Sequence, residues 1–350
     1  MNRRTFLSCL PLIASARSLL GAAGAHNSRI GLCTFSCHQL WKSAQSGKLP
    51  VPFQDGPGFY RYARTLGAEG VQASLRGLET EAARRFRGQV EADDGYFEGE
   101  LSLPRSETEL PAFETQVRLV REAGATVART VLLGGRRYEV FKTQSEFRQF
   151  QDQASQRLRW IDPILRRHQL RIAVENHKDL TTPELVELIR KVDSEWIGVL
   201  VDTGNNLALL EEPQSVVESL APFAWSVHLK DMAVQPCSEG FLLSEVPLGT
   251  GVLDLKAMVA TLQKHNPRIV FNLEMATRDP LKIPCRTEGF FTTFPEQQAL
   301  RLDQTLDWVR RHPPTQSPPA VSGKEIPQVL REEEGHNRQC LVWMRQELKA

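Results

Sequence analysis

Short apolar, β-branched runs alternate along most of the chain with stretches whose apolar residues recur three and four positions apart. The first pattern predicts strands and the second amphipathic helices. Strand-like runs fall at 28–35, 70–75, 96–104, 126–133, 170–176, 196–205, 225–231 and 268–275. Between them, Phe59, Tyr62, Ala63 and Leu66 mark one helix, ended by Gly67, and Phe113, Val117 and Val120 mark another that closes at Gly124. A long helix from about Ser145 carries Phe147, Phe150, Ala154, Leu158 and Ile161 on its apolar face. Thr182 is the expected cap of a helix with Pro183 at its first position and Leu185, Leu188, Ile189 and Val192 turned inward. Leu255, Met258, Val259 and Leu262 give a further stripe.

Eight strands separated by helical segments predict an α/β fold, a single closed (β/α)₈ TIM barrel spanning 28–311. An open doubly wound sheet is the competing arrangement, but no glycine-rich phosphate loop follows the first strand. Residues 312–326 are rich in Pro and Ser and read as a connector. Residues 327–350 predict a C-terminal helix, weakened at Gly335, that packs on the barrel exterior or on a second subunit.

The N-terminus changes the picture twice. Arg3-Arg4, an apolar run and the small residues Ala23-Gly24-Ala25 have the order of a twin-arginine-type export signal over residues 1–25, which predicts an exported, periplasmic protein. No other segment reads as a membrane span, so no stable membrane insertion is expected once the signal is gone. Setting aside the three arginines of that segment leaves 40 basic against 42 acidic residues. A near-neutral chain is poorly equipped to hold a polyanion, so no nucleic-acid partner is expected. Five cysteines remain beyond the signal, Cys33, Cys37, Cys237, Cys285 and Cys340, and the Cys33/Cys37 pair has no second Cys/His pair near it. Ordinary buried or free thiols are the expectation.

In such a barrel, chemistry gathers where strands hand over to loops at their C-terminal ends. The fifth strand ends at Glu175, the sixth at Asp202, the seventh passes through His228 and the eighth ends at Glu274. One such residue could merely cap a helix. Four on consecutive strands, three of them anionic, make an oxygen-rich set that repels itself unless a cation sits within it. His177 lies two residues past Glu175, Lys230 two past His228, and Arg278 and Lys282 follow the last strand, while Gln72 and Arg129 are further candidates for the mouth.

The combination "VENH", "VDTGN", "VHLKD" and "NLEM" resembles the xylose isomerase-like barrel superfamily over roughly residues 28–310. The resemblance implies one divalent metal ion held by Glu175, Asp202, His228 and Glu274, with Mn²⁺ the first choice and Mg²⁺, Co²⁺, Fe²⁺ or Zn²⁺ also accommodated. It further implies that Glu175 and Glu274 serve as acid/base pair, while His177, Asn205, Lys230 and Arg278 meet substrate. Asn205 stands where ketose epimerases of this superfamily tend to carry a histidine. The expected function is a metal-dependent sugar isomerase or epimerase in which a carboxylate removes the proton next to a polarised carbonyl. The alternative is a lyase or dehydratase on keto-sugars, keto-glycosides or keto-cyclitols, and the third is a carbohydrate-binding barrel without activity. The expected partner is a small-molecule carbohydrate, with a homo-oligomer possible on family grounds.

Overall fold

The computed structural model describes residues 28–47 and 50–348; the expected export signal lies outside them. Eleven strands occur among the described residues: β1 (Ile30–Cys33), β2 (Gly70–Ala73), β3 (Tyr96–Glu100), β4 (Val127–Thr130), β5 (Arg171–Glu175), β6 (Ile197–Asp202), β7 (Ala224–Leu229), β8 (Asp231–Cys237), β9 (Gly240–Val246), β10 (Phe271–Leu273) and β11 (Leu281–Ile283). Eight of them close a parallel barrel in the order β1-β10-β7-β6-β5-β4-β3-β2. These are the eight strands expected from the sequence, and the closed barrel replaces the open-sheet alternative. Strand β6 is buried at every position, as befits a strand covered on both faces.

Helices fill the crossovers, with Leu66, Val117, Leu158, Leu185, Val217 and Leu262 joining the strands' outer faces in one large core. The helix Thr182–Val192 begins one residue differently from expectation. Thr181 is its cap, in a reciprocal box with Glu184, whereas the Thr182 hydroxyl donates to Glu211 Oε2 at 3.1 Å. Glycine is required where Tyr96 crosses the barrel. A Cβ on Gly31 would sit 2.0 Å from the Tyr96 hydroxyl oxygen, and one on Gly70 would sit 2.4 Å from its ring.

Two features lie beyond the sequence expectation. Strands β8, β9 and β11 form an antiparallel three-stranded sheet, which packs with the helix Leu302–Arg311 around Met232, Val234, Phe241, Phe290 and Leu306. The C-terminal helix runs unbroken through Gly335, from Ile326 to Leu348, in contrast to the weakening expected there. Its buried Val329, Leu341 and Met344 dock it on the barrel exterior, against β1, β10 and the helices His38–Ser46 and Gly56–Leu66. One glycine in 23 residues costs about 1 kcal/mol, which a well-packed apolar face offsets. Glu333 anchors this helix: fully buried, it accepts the backbone N–H groups of Gln39 (2.8 Å) and Leu40 (3.1 Å) at the start of the helix His38–Ser46. Burial pushes its carboxyl up to about 8. No described helix is long and apolar enough to cross a membrane.

Candidate metal centre and substrate site

Parallel pairing brings the strand ends together. Asp202 stands opposite His228, and His228 opposite Asn272, which places Glu274 one step further toward the mouth. Glu175, Asp202, His228 and Glu274 are all buried, and each offers a ligand atom within 4.8 Å of the others. Asp202 Oδ2, His228 Nδ1 and Glu274 Oε2 are buried and converge, Nδ1 in contact with Glu274 Oε2 and Lys230 Nζ 2.8 Å from Asp202 Oδ2. Three carboxylates and an imidazole nitrogen with lone pairs left over are the donors a divalent cation takes, so the residues present fit the implied metal. Cys33, at the end of β1, also lies within 4.8 Å of His228 and Glu274. It and the other described cysteines are free, as expected.

His228 is oriented from behind. Its Nε2 lies 2.7 Å from Gln72 Oε1, so the ring donates there and leaves Nδ1 toward the carboxylates. The Gln72 amide donates in turn to Glu98 Oε2 at 2.9 Å, and Ser226 and Asn272 donate to the same oxygen at 2.7 and 2.9 Å. Burial raises the Glu98 carboxyl, and these donors restrain the rise. The barrel interior below the site is thus a connected polar layer.

Arg129, a candidate without a role in the sequence, clamps Glu175. Its Nε and terminal nitrogen lie 2.7 and 2.6 Å from Glu175 Oε2, and it also pairs with Glu100. The other oxygen, Oε1, accepts from Asn205 Nδ2 at 3.0 Å. Burial would raise the Glu175 carboxyl, but Arg129 and His228 hold it below the usual range. Lys230 reaches Asp202 Oδ2 at 2.8 Å and Glu274 Oε1 at 3.2 Å, so it lies within the acidic cluster. Arg278 pairs with Glu245 on β9 and passes 5.7 Å above the Phe35 ring; Asp279 instead caps the backbone at Val321 and Ser322. Lys282 is exposed on β11 and pairs with Glu239 at 2.7 Å, away from the cluster. His177 is partly buried with Nδ1 unpartnered; burial and Lys178 lower it to about 3.

Sequence reasoning missed Lys178, Glu98, Glu100 and Glu245. Lys178 is 5% exposed and contacts Asn205 Oδ1. Its burial and the neighbouring Lys230 lower it to about 8. Its signal was its place directly after "ENH"; Glu245 had none, because it arrives on an unforeseen hairpin.

Cavities of about 510 and 740 Å³ open along the ends of β1 to β4, walled by Thr34, Phe35, Arg76, Glu100, Leu103 and Arg129. The fold and this cluster together define a closed (β/α)₈ barrel whose carboxylate and imidazole groups could hold a divalent cation. The family model described as the xylose isomerase-like TIM barrel matches residues 60–312, and the chain belongs to that family. Among curated proteins it is similar to the 3-oxo-isoapionate decarboxylase of Pectobacterium atrosepticum, 31% identical over 121 residues, 34% of this chain and 44% of that protein. The match thus spans less than half the length of that relative. Among solved structures, D-psicose 3-epimerase in the presence of D-fructose is similar with a TM-score of 0.58 at 11% identity, covering 92% of this chain and all of that one. A xylose isomerase-like barrel protein from Mycobacterium smegmatis, in complex with magnesium, gives 0.52 at 18% identity over 81% of this chain and 99% of its own. At these identities the two structures show the shared fold.

Proposed function

We propose that the protein is a divalent-metal-dependent lyase that decarboxylates a 3-oxo sugar acid. The observation that carries this reading is the engagement of Glu175. Arg129 donates twice to Oε2 and Asn205 once to Oε1, and the lone pair left on Oε1 would be taken by the metal, so Glu175 is poorly placed to remove a proton from carbon. Isomerisation and epimerisation need such a base; in loss of CO₂ the pair of the breaking carbon–carbon bond passes toward the carbonyl oxygen and the carbon left behind takes a proton from water, so no base acts on carbon. The curated relative named above is a decarboxylase, which agrees.

Glu175, Asp202, His228 and Glu274 would hold the metal. When bound, it supplies an electrophile that polarises the carbonyl next to the bond that breaks. His177 Nδ1 is left to bond a substrate hydroxyl. A second reading, sugar epimerisation, is favoured by Glu274, a carboxylate at the mouth that faces His228 and Lys230 and is not clamped by an arginine. Action outside the cytoplasm belongs to this proposal on the N-terminal sequence alone.

The test incubates Mn²⁺-loaded protein in D₂O with 3-oxo sugar acids labelled with ¹³C at the carboxyl group, followed by NMR. Labelled CO₂ is the expected product. Deuterium entering beside the carbonyl, with a new epimer and no CO₂, would move the assignment to the second reading. Neither signal would overturn both.

A further inference from the structure

Four cations surround the site, Lys178 and Lys230 buried and Arg129 and Arg278 half-buried, and three are matched by acids. Arg129 lies against Glu100 and Glu175, Arg278 against Glu245, and Lys230 against Asp202 and Glu274. Lys178 is the exception: among the described residues no carboxylate oxygen lies within 4.0 Å of its ammonium, which rests on the neutral Asn205 Oδ1. Lys230 Nζ approaches the same oxygen at 3.4 Å. Two ammonium groups therefore converge on one amide oxygen. Occupation of the metal site would engage Asp202 and Glu274, drawing Lys230's partners away as well.

An ammonium taken out of water without a counter-charge costs several kcal/mol. It persists where a ligand supplies the missing charge. An ammonium has three N–H donors, and the Asn205 contact uses one, which leaves two for an incoming acceptor. A sugar hydroxyl could accept such a bond but would leave the charge unmatched.

We propose that Lys178, with Lys230 across the Asn205 amide, is a carboxylate seat, and that the substrate is an oxidised sugar bearing an acid group. In naming that acid as the group lost, the inference rests on the decarboxylation reading; as a binding site it stands apart from it. A carboxylate that departs as CO₂ gives up its charge on the way to the transition state, so its ion pair with Lys178 is stronger before reaction than during it. Lys178 therefore lowers KM and does not raise kcat. This separates it from a catalytic acid, whose loss lowers kcat.

Calorimetry on the Mn²⁺-loaded protein with D-gluconate and the uncharged D-glucitol tests the seat without turnover. Wild type is expected to prefer gluconate by about tenfold or more, Lys178→Arg to keep most of that preference, and Lys178→Met and Lys178→Gln to lose it at unchanged metal stoichiometry. On a decarboxylated substrate, Lys178→Met should raise KM about tenfold with kcat unchanged or higher. Absence of a gluconate preference in wild type, or its persistence in both neutral variants, overturns the seat. CO₂ release with KM unmoved in Lys178→Met would also remove it while leaving the decarboxylase standing. A Lys178-dependent preference without CO₂ release would do the reverse.

Discussion

Replacing Gln72 by Leu should weaken metal binding by a predictable amount. Gln72 is 1% exposed and takes the proton of His228 Nε2 at 2.7 Å, so no water can replace it readily. With the metal on Nδ1, the ring must carry its proton on Nε2, facing the new apolar side chain. A buried N–H left unsatisfied costs about 1–3 kcal/mol. Without the metal, the ring escapes this penalty by moving its proton to Nδ1, which faces Glu274. The cost thus falls on the loaded state alone, and Mn²⁺ affinity by calorimetry near neutral pH should fall roughly 5- to 150-fold. Gln72→Glu keeps the acceptor but gives up the donor to Glu98, so its affinity should fall less than that of Gln72→Leu. A folded Gln72→Leu protein that binds Mn²⁺ within about twofold of wild type would refute the idea that the glutamine fixes the ring.

Arg129→Met should destabilise the metal-free protein by about 3 kcal/mol, because it strands the buried Glu175 carboxylate; urea denaturation with chelator and with excess Mn²⁺ should show a smaller loss in the loaded form, and equal losses would mean that the cation does not engage Glu175. Glu333 has a folded pKa near 8, above its unfolded value, so its contribution to stability is complete below the unfolded value and is lost as pH rises through about 8. The stability of wild type relative to Glu333→Gln should accordingly decline from pH 5 to pH 9. A flat difference would mean that the Gln39 and Leu40 amides keep the carboxylate ionised throughout.

The legible parts of the molecule were those governed by periodicity. Most barrel strands announce themselves because a strand buried on both faces is apolar nearly throughout, as β5, β6 and β7 are, while β3, with Glu98 and Glu100, is a weaker run. The four cluster residues follow, since each ends or crosses a strand whose neighbour was known. The hairpin of β8 and β9 stayed hidden because β8 starts at Asp231, only Lys230 separating it from the end of β7 at Leu229, so its alternation merged with that run. Glu245 and the pairing of Arg278 were lost with it. Lys178 and Glu98 could not be read for a different reason: their meaning lies in what faces them across the barrel, and no local pattern reports that Lys178 lacks an acid while Glu98 lacks a cation.

The small sheet lies over one side of the mouth while the open cavities follow β1 to β4. All four cluster residues come from β5, β6, β7 and β10. The cluster thus sits on one half of the ring and the cavities on the other, with Gln72 and Arg129 reaching across from β2 and β4 to hold His228 and Glu175. Loops that carry Phe35, Arg76 and Leu103 can change without disturbing a cluster ligand. Substitutions in those loops would reshape the cavities while leaving the four cluster residues in place.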